Sequence, residues 1–226
     1  MSPQTLRALC AAQAQRQTRV RAVRLEDGRE WLIDPATEHF HDLDLDASAS
    51  RAVRTEQAQT AEVDGDAYLV HALGPAKRLV LIGAVHIAKA LAPMAAAIGF
   101  EVSIIDPRGA FTAATEFAPA QVVEDWPDEV LTRTPLDART ALVTLTHDPK
   151  LDDAALIPAL SSDAFYIGCL GSRRTHQARR DRLTALGLAD AQLDRLHGPA
   201  GLPIGAAGPG EIAVAILAQI VAVLRA

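Results

Sequence analysis

Four short stretches of this 226-residue chain combine residue types and spacings suited to gripping an anion. In LVLIGAVHIAKAL (79–91), Gly83 and Ala84 lie between a strand-like apolar run and a helical one. That is the setting of the dinucleotide fingerprint G-x-G-x-x-G/A, where a tight turn delivers a phosphate to the first amides of a helix. Val85 stands at the fingerprint's second glycine, and a side chain there limits how near a pyrophosphate comes to the backbone. His86, in the first turn, can bond a phosphate or point into solvent. In IIDPR (104–108), Asp106 occupies the place where an acid accepts a ribose hydroxyl, or else forms a strand-end turn before Pro107. Arg108 adds a planar fork suited to phosphate or carboxylate.

The third stretch, THDPK (146–150), supplies Thr146 and the acid/base pair His147 and Asp148. Together with Asp152 and Asp153 the pair also resembles a divalent-metal cluster, but no recognised metal-ligand spacing supports that, and no metal is expected. The fourth, CLGSRRTH (169–176), sets Gly171 and Ser172 before Arg173 and Arg174 at the start of a basic helix, where backbone amides already favour an anion. Farther along, Arg179, Arg180 and Arg182 are expected on a solvated face. Cys169 is expected as a packed core thiol, the alternative being a sulfur carrier.

These stretches need elements to hold them. After Pro75, apolar runs without alternation (RLVLIG, EVSIID, a weaker AQVVED, TALVTLTHD, FYIGCLG) are separated by amphipathic helical runs. That pattern predicts parallel strands covered on both faces, a Rossmann-like, doubly wound α/β domain over 75–226. Ligands of such domains bind beyond the carboxyl ends of the strands, where strand order reverses, which is where the four stretches fall. Pro93 predicts a kink in the first helix. Residues 1–74 read differently: RVRAVRLEDGREWLID and AEVDGDAYLVHA are hairpins turning at Asp-Gly, with a helical run at SRAVRTEQAQ between them, so a small β-rich region is expected. Ser2 and Pro3 open a capped helix rather than a signal peptide.

Composition excludes several classes. The chain is 49% apolar but 4% aromatic, which suits helices on a parallel sheet. A net charge of -6 gives no general positive field, so neither nucleic acid nor membrane is an expected partner. Two cysteines, Cys10 and Cys169, without a CxxC point to a reducing, cytoplasmic setting. The apolar run from Pro209 to Leu224 is shorter than the roughly 20 residues a bilayer needs and reads as a buried helix, a candidate contact between protomers. Tyr68 and Tyr166 are not followed by a lysine four residues on, and no P-loop or GxSxG occurs.

In order, LIGAVHIAKAL, GFEVSIIDPR, TLTHDPKLDDAAL, FYIGCLGSRRTH and GPAGLPIGAAGPGEIAVAILAQI resemble the XdhC/CoxI family over roughly residues 75–226. Its members are maturation factors for molybdenum hydroxylases such as xanthine dehydrogenase and carbon monoxide dehydrogenase. The resemblance implies a domain that binds the molybdenum cofactor (molybdopterin or its dinucleotide form), protects it during sulfuration and inserts it into the apo-hydroxylase. By the same resemblance Gly83, Ala84, His86, Asp106, Arg108, Thr146, His147, Asp148, Gly168, Gly171, Ser172 and Arg173 belong to the cofactor site, with Gly201, Ile204, Gly205, Pro209 and Glu211 from the last segment. Implied partners are the hydroxylase, a cysteine desulfurase or a cofactor nucleotidyltransferase, and a second copy in a homodimer. Departures from the family pattern are Val85 for a glycine, Pro203 where Asp is frequent and Gly210 for an acidic residue. The rival expectation is an NAD(P)-dependent oxidoreductase using the same loops, with Arg108 on a 2'-phosphate.

Overall fold

The Asp-Gly pairs at 27–28 and 64–65 each turn the chain back on itself. Gly28 has φ +73°, and Asp64 and Gly65 have φ 53° and +87°, the positive values that tight hairpin turns demand. A computed structural model describes residues 1–40, 43–109 and 117–226, in two compact units, Met1–Pro75 and Ala76–Leu224.

In the first unit, helix α1 (Pro3–Ala14) starts at Ser2, whose Oγ accepts from the Thr5 amide at 3.1 Å. Strands β1 (Arg19–Arg24) and β2 (Glu30–Ile33) form one hairpin, and β3 (Gln59–Val63) and β4 (Asp66–Leu73) the other. The hairpins join through antiparallel β1 and β4 in the order β2-β1-β4-β3. Helix α2 (Asp46–Thr55) lays the small residues Ala49 and Ala52 against Val20, Ala22, Tyr68 and Val70, so its close approach follows from side-chain size.

The second unit is a six-stranded parallel sheet in the order β10-β9-β8-β5-β6-β7. Along the chain run β5 (Lys77–Ile82), α3 (His86–Ala97), β6 (Phe100–Ile105), β7 (Gln121–Val123), α4 (Pro127–Arg133), β8 (Thr140–Thr144), α5 (Pro149–Leu160), β9 (Tyr166–Cys169), α6 (Arg173–Ala185), α7 (Asp190–Leu193), β10 (Leu196–His197) and α8 (Pro209–Arg225). Every pairing is parallel. The unbroken apolar runs have a direct cause. Leu79 and Leu81 of β5 pack with Leu91 of α3 and Ile216 of α8 on one face, while Val80 and Ile82 pack with Leu156 of α5 and Leu183 of α6 on the other.

The helices add local detail to the sequence pattern. Helix α3 continues through Pro93 as a single element. Helix α4 has no counterpart among the expected elements: it is two turns long and contributes little more than Val130 and Leu131 to the core, too few for a periodic signal. Helix α8 buries Ala213, Ala215, Ile216 and Ile220, and no helix among the described residues is long and apolar enough to cross a membrane.

Gly168, which the family resemblance assigns to the ligand site, lies inside β9 under the ring of Tyr166. A Cβ there would stand 2.6 Å from Tyr166 Cε1. The ring is pinned from two directions, stacked on His197 with centroids 4.6 Å apart and donating its hydroxyl to Gln219 Oε1 at 2.7 Å. Gly168→Ala should therefore cost about 1–3 kcal/mol by overpacking, read as a lower midpoint in urea unfolding; an unchanged midpoint would refute this packing account.

Candidate functional site

Strand β5 lies between β8 and β6, and the chain leaves it first toward β6 and β7, then crosses to β8, β9 and β10. Beyond the carboxyl ends of these strands opens a cleft of about 610 Å³. Val85, His86 and Arg108 line it from the β5 and β6 side, and Thr146, His147 and Asp148 from the β8 side. Ile87, Leu145, Pro149, Leu170 and Pro209 complete the walls. A smaller cavity of about 330 Å³ lies along β6 and β7 beside α4, lined by Val80, Ile105 and Leu131 together with Arg78, Glu101 and Arg133, and shares no lining residue with the cleft.

The β5 turn is built on a buried carboxylate. Asp106 has no exposed surface; its Oδ2 accepts the Ala84 amide at 2.8 Å and Arg108 Nη2 at 2.8 Å. Its Oδ1 accepts the Arg108 amide at 3.0 Å and Arg108 Nε at 2.9 Å. Burial alone would push this carboxyl up; the Arg108 fork and the two amides outweigh it and hold it below the usual carboxylate range. The ribose-facing role expected of Asp106 therefore has no surface to act through. Asp106 instead fixes Ala84 and folds Arg108 back along the cleft wall.

Gly83 is fixed by geometry as well. Its φ is +106°, and a Cβ would stand 2.6 Å from Thr146 Cγ2, so the β5 and β8 loops meet through the missing side chain. Helix α3 then begins at Val85, whose backbone is extended and which supplies no side-chain cap, leaving the first amides of the helix to whatever enters the cleft. The neighbouring helices are closed by their own residues: Asp148 caps α5 at the Lys150 amide, 3.0 Å, and Ser172 caps α6 at the Thr175 amide, 3.1 Å. His86 and His147 are exposed at the mouth.

On the β8 side a second carboxylate is buried. Thr146 Oγ1 donates to Asp152 Oδ1 at 2.6 Å and accepts the Asp148 amide at 3.2 Å. Asp152 Oδ2 accepts from Arg179 Nη2 at 3.2 Å. Arg179 is only 3% exposed, which corrects the expectation of a solvated face. Arg180 binds the Leu193 carbonyl and Asp194, and Arg182 grips Asp153 with two bonds of 2.6 and 2.7 Å. The basic side of α6 is a docking face for carboxylates and carbonyls. Asp152 and Asp153 thus serve two arginines, and among the described residues no group of three His, Cys, Asp or Glu could hold a metal.

Other expected site residues sit beside the cleft rather than in its lining. Gly171, φ +137°, and Ser172 form the turn into α6, and Arg173 and Arg174 project from its exposed first turn, next to the lining residue Leu170. Gly205, φ +77°, is an exposed turn glycine. Glu211 closes the start of α8 by accepting the Ala207 and Gly208 amides, which hold its carboxyl below the usual range. Cys169 is fully buried, and burial pushes its thiol up to about 11, so it is a core residue and not an exposed nucleophile.

Because the folded Asp106 carboxyl titrates below its unfolded value of about 3.9, its contribution is complete above that pH and is lost as pH falls through the folded value. Asp106→Asn should cost about 2 kcal/mol at pH 7, and the gap to wild type in urea unfolding should narrow toward pH 2. A gap independent of pH would show that the charge is not what braces the turn.

Comparison with known proteins gives the family and the fold. Residues 79–220 match the XdhC Rossmann domain family. The chain is 33% identical over 153 residues to a probable xanthine dehydrogenase subunit of Bacillus subtilis (strain 168), covering 67% of this chain and 44% of that one. It is 31% identical over 149 residues to the molybdenum cofactor insertion chaperone PaoD of Escherichia coli (strain K12), covering 66% and 41%. The chain spans between 28% and 44% of the length of the curated relatives it matches. A crystal structure of a xanthine dehydrogenase from Bacillus halodurans superposes with a TM-score of 0.71 at 23% identity, covering 98% of this chain and 64% of that one, which establishes the shared fold. With the family match spanning most of the chain and falling on the unit that carries the cleft, the protein belongs to the XdhC Rossmann domain family.

Proposed function

We propose that the strand-end cleft holds the molybdenum cofactor, an anionic pterin, and that the protein delivers it intact to an apo molybdenum hydroxylase. The observation that carries this reading is the convergence at one cleft of the uncapped start of α3 with Arg108, His86 and His147. Helix-start amides and an arginine suit a phosphate, and the apolar walls Ile87, Leu145 and Leu170 suit the flat face of a pterin. A cleft of about 610 Å³ has the size of a cofactor site. The Thr146 hydroxyl is committed to Asp152 and Asp106 is sealed, so what the lining offers a ligand is Arg108, the two histidines and the α3 amides. The relative PaoD is named as an insertion chaperone for this cofactor, which supports the reading.

The cofactor brings its metal and sulfur ligands with it; this chain's part is to bind, orient and shield. Arg108 and the α3 amides would take the phosphate end, and His147 the polar edge of the ring. The buried Cys169 is not a sulfur donor, and a cysteine desulfurase as partner would supply sulfur during protection. The rival NAD(P) reading loses its acidic recognition group, since the sealed Asp106 carboxylate cannot reach a ribose hydroxyl.

Protein made in molybdenum-replete cells should release a fluorescent pterin of the mass of molybdopterin or its dinucleotide form. Release of a nicotinamide nucleotide, or of nothing, would sink the proposal. His147→Ala should lower the pterin retained by about tenfold with unchanged thermal unfolding; equal retention would remove His147 from the site. Arg173→Ala, outside the lining, should lower it less.

A further inference from the structure

Arg179 lies in the second turn of α6 and lines no part of the cleft, yet it is buried. Its Nη2 group donates to the Leu170 carbonyl at 3.0 Å and to Asp152 Oδ2 at 3.2 Å. Through Asp152 Oδ1 it reaches Thr146 Oγ1, and through that hydroxyl the Asp148 amide. One guanidinium thus holds two walls of the cleft that follow different strands, Leu170 after β9 and Thr146 after β8.

The arrangement is a poor way to stabilise a core. The Nε and Nη1 groups of Arg179 are buried with no hydrogen-bond partner among the described residues. Burial also pushes the Asp152 carboxyl up, against the pull of Thr146 and Arg179. An apolar side chain of similar volume would fill the space without leaving donors unpaired. What an apolar residue could not do is tie a carbonyl on one loop to a carboxylate on the next helix.

We propose that Arg179 is the positioning residue of the cleft, setting the distance between the Leu170 wall and the Thr146–Asp148 turn so that both meet one ligand. For its ligand the proposal rests on the function proposed above; for its geometry it does not. The guanidinium acts through Leu170 and Asp152 and touches no ligand itself. Its unpaired donors are the cost of reaching both partners from one helix, and the bond to Thr146 carries the constraint onto the contact with Gly83.

The test uses the full chain as wild type, Arg179→Met and Arg179→Lys. Amide hydrogen exchange is followed by mass spectrometry over residues 146–150 and 170–174, with β5 and β6 of the same unit as internal reference, and molybdopterin affinity is measured by fluorescence titration. In Arg179→Met, exchange in the two cleft segments should rise at least about tenfold with the reference unchanged, and affinity should fall by a similar factor. Arg179→Lys, which keeps the charge facing Asp152, should restore part of both. Should Arg179→Met fail to fold, Asp152→Asn and Arg179→Lys carry the same comparison. Unchanged exchange in the cleft segments, equal acceleration in the reference strands, or looser walls with unaltered affinity would each overturn the proposal. A wild-type chain that binds no molybdopterin would overturn the cofactor reading instead, and the exchange result alone would then decide whether Arg179 sets the walls.

Discussion

The cleft depends on two carboxylates buried at the carboxyl edge of a parallel sheet. Each of them, Asp106 below the β5 turn and Asp152 behind the β8 turn, is taken out of water and partnered by an arginine. The two pairs differ in their balance. Asp106 accepts four hydrogen bonds, two from amides, and stays ionised with ease. Asp152 has a hydroxyl and one guanidinium nitrogen, and its charge is held less comfortably. Both convert flexible loop backbone into fixed walls, one on each side of the point where strand order reverses.

This division explains why a mostly apolar sheet presents an anion-friendly edge in a chain of net charge -6. The acidic groups nearest the cleft are sealed or spent on helix caps, as Asp148 is at α5 and Glu211 at α8. Toward the opening lie the two histidines, the start of α3 and Arg108, whose fork is held by Asp106. Charge at the site is therefore a matter of which side chains are committed elsewhere, and a count of acids and bases along the sequence does not report it.

Much of the architecture is legible in the residues. The unbroken apolar runs of β5, β8 and β9 mean strands covered on both faces, and GAVHIA, IIDPR and THDPK must meet at one edge once the sheet is parallel. Less legible is the use of individual groups. Asp106 sits at the customary ribose position in the sequence, but nothing in IIDPR says that Arg108 two residues on will close over it. Gly168 lies in the strand run FYIGCLG, as the structure has it, but its use in making room for Tyr166 is not legible there, because a glycine's neighbours are set by packing and not by spacing. The pattern of α6 puts Arg179 in solvent because it sits among four other arginines; its partner Asp152 is 27 residues away and only tertiary structure joins them. One signal is available in the sequence: Thr146 and Asp152 flank a helix start capped by Asp148, which turns the first-turn acid back toward the strand end.

The two rims of the larger sheet are stubs, β7 with three residues and β10 with two. A rim that short offers a visiting chain almost no free backbone donors and acceptors to pair with, so the domain is poorly equipped to recruit another molecule by strand addition. Any protein that docks on this unit must therefore read its helices and loops, which places recognition on side chains and lets specificity change by point substitution without disturbing the sheet.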